Sequence, residues 1–289
     1  MRMKTKITNP AQFARMAMTL EKIAKTWILR LTPSDVYFIV SQADVDSGIQ
    51  VWGSISTSFI FADYRIESAN ENQIFLQLSG EHLVRSLKSA QNATEITMKL
   101  AKKNSLPVLS FQIANQSRTG NCVLLVQDIP VRVLTPPEAE ELKEPLVPEP
   151  HVHIMMPPLS SIRTIAERMK SMSNYITISA NMRGEFVLKI DTDSVEVETS
   201  YRNLINPEFD PSQVDSSQQP SANRDPTLFA DARVDARDFV KFVQSYVVNP
   251  TNVVCCIIEN RGLVFYVYVG GPNESQCGNL TYYIPVRSL

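Results

Sequence analysis

The sequence predicts an α+β protein of two tandem domains, each with a mostly antiparallel sheet that carries two helices on one face. The first observation is a near repeat: residues 129–134 (Ile-Pro-Val-Arg-Val-Leu) and 284–289 (Ile-Pro-Val-Arg-Ser-Leu) agree at five of six positions. Their spacing of 155 residues is close to the length of one ordinary domain. The second is the order strand, helix, strands, helix, strands in each half, which lacks the alternating rhythm of a parallel sheet.

A proline-rich stretch separates the two halves. Residues 135–150 contain five prolines, which exclude a long helix or a strand interior and favour a stiff, extended connector. We therefore expect an N-terminal domain at 1–134 and a C-terminal domain at 151–289. Residues 205–227 are rich in Pro, Ser, Gln and Asp, and they predict a mobile insertion between two strands of the second domain.

Each domain opens with a short predicted strand, Met3–Ile7 in the first and His153–Met156 in the second. Apolar residues recur at helical spacing in four segments. These are residues 11–25, 80–91, 158–172 and 236–247. Short apolar or alternating runs predict the other strands that precede the second helix of each domain. These are Trp27–Leu31, Val36–Val40, Val51–Ile55, Ile74–Leu78, Tyr175–Ala180, Phe186–Ile190 and Val195–Thr199.

Composition excludes several classes of protein. A chain of 289 residues, 44% of them hydrophobic, is long enough to build two cores. No apolar stretch approaches the length of a membrane span, and Met1–Ile7 lacks the apolar segment of a signal peptide. The four cysteines show no CxxC spacing and predict free buried thiols. They are Cys122, Cys255, Cys256 and Cys277.

The net charge of −2 argues against a simple basic nucleic-acid binder, but the charge is unevenly distributed. The four helical segments carry a net charge of +5 and the rest of the chain −7. The outward cations are Arg15, Lys22, Lys25, Arg85, Lys88, Arg163, Arg168, Lys170, Arg237 and Lys241. Such residues also serve solubility, and that alternative stays open. If the four helices face one surface, they would form a positive lining that holds DNA phosphates without reading sequence.

Several short segments carry a family resemblance. They are Ile28–Pro33, Leu78–Leu83, Leu87–Ala93, Asp128–Val131, Glu144–Pro150, Asn206–Pro207, Val248–Thr251 and Tyr283–Pro285. Together, and in this order along nearly the whole chain, they resemble the Hus-one subunits of the nine-one-one checkpoint clamp. These belong to the sliding clamps, the ring proteins related to proliferating cell nuclear antigen. The insertion at 205–227 is longer than is usual in that family.

The resemblance implies both a fold and a function. The fold would be two sliding-clamp (DNA clamp) domains, with sheets outside and two helices per domain lining a central channel. The function would be that of a non-catalytic subunit, without a cofactor, in a heterotrimeric ring with two paralogous clamp subunits. A clamp loader would place the ring on double-stranded DNA at damage sites, where it supports checkpoint signalling and repair enzymes. The location would be the nucleus, or the cytoplasm before assembly, with no membrane association.

The resemblance also implies where partners bind, because clamp subunits join by pairing edge strands. By correspondence the edges would be residues 121–127 and 195–201. The interface candidates are Val123, Leu124, Leu125, Val126, Val195, Val197 and Thr199. A strand as apolar as the first would not suit a solvent-exposed edge, so it is either covered by a partner or buried centrally. A pocket for partner peptides would be lined by Leu146, Tyr282 and Ile284.

Two other interpretations stay open. An enzyme is the main alternative of a different class, but the sequence contains no P-loop, dinucleotide-binding turn or nucleophile elbow. His151 and His153 alternate on one strand face without an obvious third metal ligand, and Asp44–Gly48 favours a turn over a calcium loop. A homotrimeric replication clamp would have the same fold, and helix charge does not separate it from a heterotrimer.

Overall fold

The computed structural model of the chain describes residues 1–41, 48–116, 122–207, 221, 224–270 and 277–287. The chain divides into two units. The first comprises Met1–Val45, Val51–Glu144 and Gly271–Asn279, and the second comprises Asp46–Gln50, Pro145–Gly270 and Leu280–Leu289. The division after Glu144 falls inside the predicted connector; the domain limits at 134 and 151 stay predictions. Most of the predicted insertion at 205–227, and most of the predicted turn at 44–48, lie outside the described residues.

The first unit is built on antiparallel strands in the order β5-β1-β7-β8-β9-β6-β2-β3-β4. The strands are β1 (Arg2–Ile7), β2 (Thr26–Leu31), β3 (Asp35–Val40), β4 (Gln50–Ser56), β5 (Phe61–Glu67), β6 (Ile74–Ser79), β7 (Glu95–Lys103), β8 (Leu106–Gln116) and β9 (Cys122–Val133). The helices are α1 (Pro10–Glu21), α2 (Thr57–Ile60), α3 (Gly80–Ser89) and α4 (Pro136–Glu140).

The second unit has two groups of paired strands. Their orders are β10-β15-β16-β17 and β13-β12-β11-β14. The strands are β10 (Val152–Met155), β11 (Tyr175–Ala180), β12 (Phe186–Asp191), β13 (Glu196–Tyr201), β14 (Ala230–Asp235), β15 (Asn252–Ile258), β16 (Gly262–Val269) and β17 (Gly278–Pro285). The helices are α5 (Leu159–Met172) and α6 (Ala236–Val243), followed by a 3-10 helix (Gln244–Val248).

The helices pack in pairs, α1 beside α3 in the first unit and α5 beside α6 in the second. Helix α1 begins at Pro10, whose fixed φ suits a first helical position. The Asn9 side chain caps that end by accepting a hydrogen bond from the Gln12 N–H over 3.0 Å. The buried face of α1 includes Phe13 and Leu20, both fully buried. Phe13 meets the ring of Phe61 in β5 edge-on, so α1 covers the core side of that strand.

The predicted helices are all present, but three of them end earlier than expected, and α3 ends at Ser89 rather than at residue 91. In α1 the backbone N–H groups of Ile23 and Ala24 both donate to the Leu20 carbonyl, which closes the helix before residue 25. In the last helix the α-helical geometry ends at Val243 and continues as a 3-10 helix. Asn249, in the left-handed conformation with φ 55°, ends that 3-10 helix.

The cysteines are free, as predicted, but not all are buried. Cys255 and Cys256 lie in the core on β15, whereas Cys122 is exposed and Cys277 is partly exposed. The prediction of burial is wrong for Cys122, because it begins the first half of β9, whose side chains are exposed. None of the helices that the structure describes is long and apolar enough to span a membrane.

Candidate functional site

The exposed face of α1 carries the first predicted cations. Arg15 and Met18, and then Lys22 at the helix end, are spaced three and four residues apart, so they share one face. Lys22 lies 3.3 Å from the Glu21 carboxylate. Lys25 is exposed in the turn before β2 rather than on the helix. Arg15 and Lys25 form no ion pair with any residue that the structure describes.

The exposed face of α3 adds Arg85 and Lys88. Arg85 pairs with Glu81 one helical turn earlier, and both side chains are largely exposed. A pair of this kind contributes only a few tenths of a kcal/mol, so Arg85 can exchange Glu81 for another anion at little cost. Lys88 lies in the last turn, where the helix dipole favours a cation.

In the second unit, Arg163 of α5 is held by two neighbours. It donates to Glu167 over 3.0 Å and to the Tyr246 hydroxyl over 2.7 Å, and its guanidinium lies over the Tyr246 ring. The hydrogen bond with Glu167 raises the pKa of Arg163. Arg168 and Lys170 are exposed and make no ion pair within the described part of the chain.

Helix α6 presents fewer charges to solvent, because most of its residues are buried. Arg237 is exposed and donates to both Asp235 carboxylate oxygens, over 3.1 and 2.8 Å. These bonds lower the pKa of Asp235, whose Oδ1 also caps the helix by accepting from the Arg237 N–H. Lys241 is mostly buried, with its Nζ atom 3.9 Å from the buried Asp238 carboxylate.

The ten predicted cations therefore fall into two sets. Ion pairs hold one set: Lys22, Arg85, Arg163, Arg237 and Lys241. The other set is exposed to solvent without an ion pair among the described residues: Arg15, Lys25, Lys88, Arg168 and Lys170. The second set is the more available to an external anion, since no carboxylate has to be displaced. Contact of either set with DNA stays a prediction.

The first half of β9 forms a sheet edge. It pairs with β8 on one side, whereas β6 pairs only with its last residues, Val131–Val133. Four consecutive apolar side chains on this half are exposed. They are Val123 (50%), Leu124 (61%), Leu125 (37%) and Val126 (49%). Of the two expectations for this strand, central burial within the unit is wrong, because no described strand covers its second side.

The second predicted edge is β13, which lies at the end of its sheet and pairs with β12. Val197 and Thr199 are half-buried. Val195, predicted to lie in the strand, instead precedes it in a turn, where its N–H donates to Thr192 Oγ1 over 3.1 Å. The exposed Glu196 pairs with Lys189 of β12 at 2.6 Å, so this edge is more polar than that of β9.

The predicted peptide pocket is not assembled from the expected residues. Tyr282 and Ile284 are buried in the core of the second unit, where the Tyr282 ring meets Phe242 edge-on at 5.2 Å. Leu146 is fully exposed. The assignment is wrong for Tyr282 and Ile284, because alternate residues of β17 point into the core.

The first half of the connector packs on the first unit. Ala139 of α4, together with Leu134 and Leu142 on either side of it, packs against an apolar cluster of buried side chains. These are Ile28, Ile39 and Phe75, with Tyr37 and Trp52 beside them. A cavity of about 340 Å³ opens nearby, lined by Phe75, Leu134 and Pro136 among others. This cavity was not predicted, because it depends on how the connector folds back.

The family model described as Hus1-like protein matches residues 1–288. The chain belongs to the Hus1-like family. This Hus1-like chain is 38% identical over 285 residues to "Checkpoint protein hus1" of Schizosaccharomyces pombe, covering 98% of each chain. It is 32% identical over 293 residues to "Checkpoint protein HUS1" of Homo sapiens, covering 100% of each.

Solved structures place the Hus1-like chain among the clamp folds. It is similar to the proliferating cell nuclear antigen of Entamoeba histolytica, with a TM-score of 0.70, 13% identity and 99% coverage of both chains. The corresponding protein of Thermococcus kodakaraensis gives a TM-score of 0.69 at 14% identity, with 99% of this chain and 100% of that chain covered. The predicted α+β sliding-clamp fold and the family resemblance are both confirmed.

Proposed function

We propose that the chain is a subunit of a heterotrimeric ring clamp that encircles DNA at damage sites and supports checkpoint signalling. The observation that carries this proposal is the match, along the full length, to proteins named for a checkpoint role in a yeast and in human. The clamp fold supports it, because the structural neighbours are proliferating cell nuclear antigens.

The two sheet edges support a place between two different neighbours. The β9 edge exposes four apolar side chains in a row, and an exposed apolar edge invites strand pairing. The β13 edge carries Glu196 and Glu198 beside Lys189. In a ring of identical chains the β9 edge of one copy would pair with the β13 edge of the next, and an apolar strand is a poor match for a strand that carries exposed carboxylates. We therefore infer that the chain joins two paralogous clamp subunits rather than copies of itself.

The helices support the role on DNA. Cations without ion pairs on α1, α3 and α5 would contact the phosphate backbone, and such contacts carry no sequence information. A clamp loader would open and close the ring, and repair enzymes would bind the loaded ring. The chain itself would be non-catalytic and would act in the nucleus.

Assembly tests the proposal and separates it from a homotrimeric replication clamp. The native mass of the purified chain is measured alone and after mixing with the two paralogous subunits of the same cell. A monomer alone, and a ring of one copy of each subunit in the mixture, is the expected result. A stable trimer of this chain alone would overturn the heterotrimer and favour the replication clamp.

A further inference from the structure

Three cations lie in a row across neighbouring strands of the first unit. Lys4 of β1 is directly opposite Arg65 of β5 on one side and directly opposite Lys99 of β7 on the other. Met3 and Thr5, which flank Lys4 in sequence, are buried. Lys4 and Arg65 are exposed and Lys99 is half-buried, so the row occupies the sheet face that points away from the core. We call these three residues the basic row.

The basic row is electrostatically unfavourable by itself. Strands in a sheet lie about 4.8 Å apart, so the three positions span roughly 10 Å, and like charges placed directly opposite destabilise a sheet. Nearby carboxylates are engaged by other cations. The Lys6 Nζ atom lies 3.7 Å from the Asp63 carboxylate and 3.0 Å from the Glu95 carboxylate. None of the three row residues forms an ion pair in the described part of the chain.

The carboxylate that lies next to the basic row on the β9 side is already paired with another cation. Asp128 of β9 lies in line with Lys99 through Ser110. Its carboxylate accepts a hydrogen bond from Lys103 Nζ over 2.8 Å. That bond and one from Ser110 lower the pKa of Asp128 more than the charge of Lys99 does. The Asp128 carboxylate therefore pairs with Lys103, and the positive charge of the basic row remains available to an external anion.

We propose that the basic row binds a short acidic segment of a partner polypeptide. Charge complementarity carries the proposal, together with the length of the row. In an extended chain, alternate side chains lie about 6.7 Å apart, so a segment with two or three alternate acidic residues matches the span of the row. The long side chains of lysine and arginine can move their charged groups to match the spacing of the acidic residues.

The borders of the row favour a peptide over duplex DNA. Asp63, Glu95 and Asp128 surround the row on the same face of the sheet. A DNA duplex carries one charge about every 1.7 Å along its axis and needs a longer positive track than three residues provide, and the paired carboxylates at the borders end the positive track there. The site is separate from the helix cations, because α1 packs on the opposite, core side of β5 through Phe13. Peptide binding at the basic row does not require that the chain is assembled into a ring.

The test measures binding of a fluorescein-labelled peptide of alternating Glu and Ser to the full-length chain, by anisotropy at low and high salt. The triple variant Lys4→Gln, Arg65→Gln, Lys99→Gln should bind on the order of tenfold more weakly and with less salt dependence. A matched variant with the same loss of charge, Arg15→Gln, Lys25→Gln, Lys88→Gln, should keep the affinity of the unaltered chain. Equal weakening in both variants would indicate general charge attraction and would overturn the proposal.

A second arm distinguishes the two classes of anion. Binding of a labelled DNA duplex should be reduced by the helix triple and unaffected by the row triple. The proposal is wrong if the row triple reduces duplex binding while peptide binding is unchanged. Urea unfolding of the row triple provides a folding control. It should unfold at the same or a higher urea concentration than the unaltered chain, because like-charge repulsion between the strands is removed.

Discussion

Thr135 and Glu138 cap each other at the start of α4. The Thr135 N–H and hydroxyl both donate to Glu138 Oε2, over 2.7 and 2.8 Å, while Arg132 donates to the other carboxylate oxygen. This reciprocal arrangement satisfies a backbone donor that a helix start leaves open. It holds α4 in the position from which Ala139 and Leu142 pack on the apolar cluster around Phe75.

The first prediction concerns the pH dependence of this cap. The Thr135 N–H, followed by Arg132, lowers the pKa of Glu138 from an ordinary 4.5 to about 2. Since the folded pKa lies below the unfolded one, the stabilisation is complete above about 4.5 and is lost as the pH falls towards 2. Hydrogen-exchange protection of residues 134–142 should fall over this range. In Glu138→Ala, which removes the acceptor, it should be low throughout, and in the control Glu140→Ala it should behave as in the unaltered chain.

The second prediction concerns the core of the second unit. Phe242 stacks on Phe265 with ring centroids 3.8 Å apart and meets Tyr282 edge-on. Phe242→Ala should lower the free energy of unfolding by about 3–5 kcal/mol, because it leaves a cavity among buried rings. Urea denaturation measures the change. The control Phe229→Ala, at a position 39% exposed, should cost less than about 1 kcal/mol; equal losses would show that Phe242 does not anchor this core.

The third prediction tests the β9 edge as a subunit interface. Leu124 is 61% exposed on the unpaired half of β9. Leu124→Glu should reduce ring assembly with the two paralogous subunits at least tenfold, because a carboxylate would be buried against an apolar partner strand. Size-exclusion chromatography of the mixture measures assembly, and circular dichroism of the free chain checks folding.

A control for that change is Leu106→Glu. Leu106 is similarly exposed, at 64%, but begins β8 away from the unpaired half of β9. Assembly should be unchanged in this variant. If Leu124→Glu still assembles normally, the subunits do not join through β9.

The fourth prediction concerns the retention of DNA by the assembled ring. Replacing Arg15, Lys22, Arg85 and Lys88 by Ala should weaken binding and flatten its salt dependence. Each lost phosphate contact removes about 0.9 from the slope of log K against log salt, so the four changes should reduce it by up to about 3–4. A variant with the same change in charge is the control: Lys4→Ala, Arg65→Ala, Lys99→Ala and Lys103→Ala. Slopes that agree between the two variants would show that α1 and α3 do not contact DNA.

The spacing of apolar residues was sufficient to predict the helices and strands that form within a single segment of the chain. The apolar period of α1 predicted a helix whose face of Phe13, Met16 and Leu20 is fully buried. The end of that helix was misplaced, because Ile23 and Ala24 continue the apolar pattern while their N–H groups already close the last turn on Leu20. Periodicity reports which side chains are buried and does not fix the hydrogen bond that stops a helix.

Features that require two distant segments were missed or misplaced. The basic row exists only because antiparallel pairing brings residues 4, 65 and 99 into one register, and nothing in any one segment signals it. The peptide pocket was misplaced for a different reason. The family resemblance predicts a surface role for the end of β17, whereas the strand directs the side chains of Tyr282 and Ile284 into the core.

The unpaired half of β9 has a consequence for the life of the free chain. A run of exposed apolar residues on an open strand edge is a template for the wrong neighbour as well as the right one. An orphan copy, made in excess of its partners, would be the form most prone to aggregate and the form that chaperones and proteases recognise first. The amount of the chain in the cell would therefore be limited by the amount of its partners. Synthesis of the subunits in equal amounts would protect the chain from aggregation and degradation.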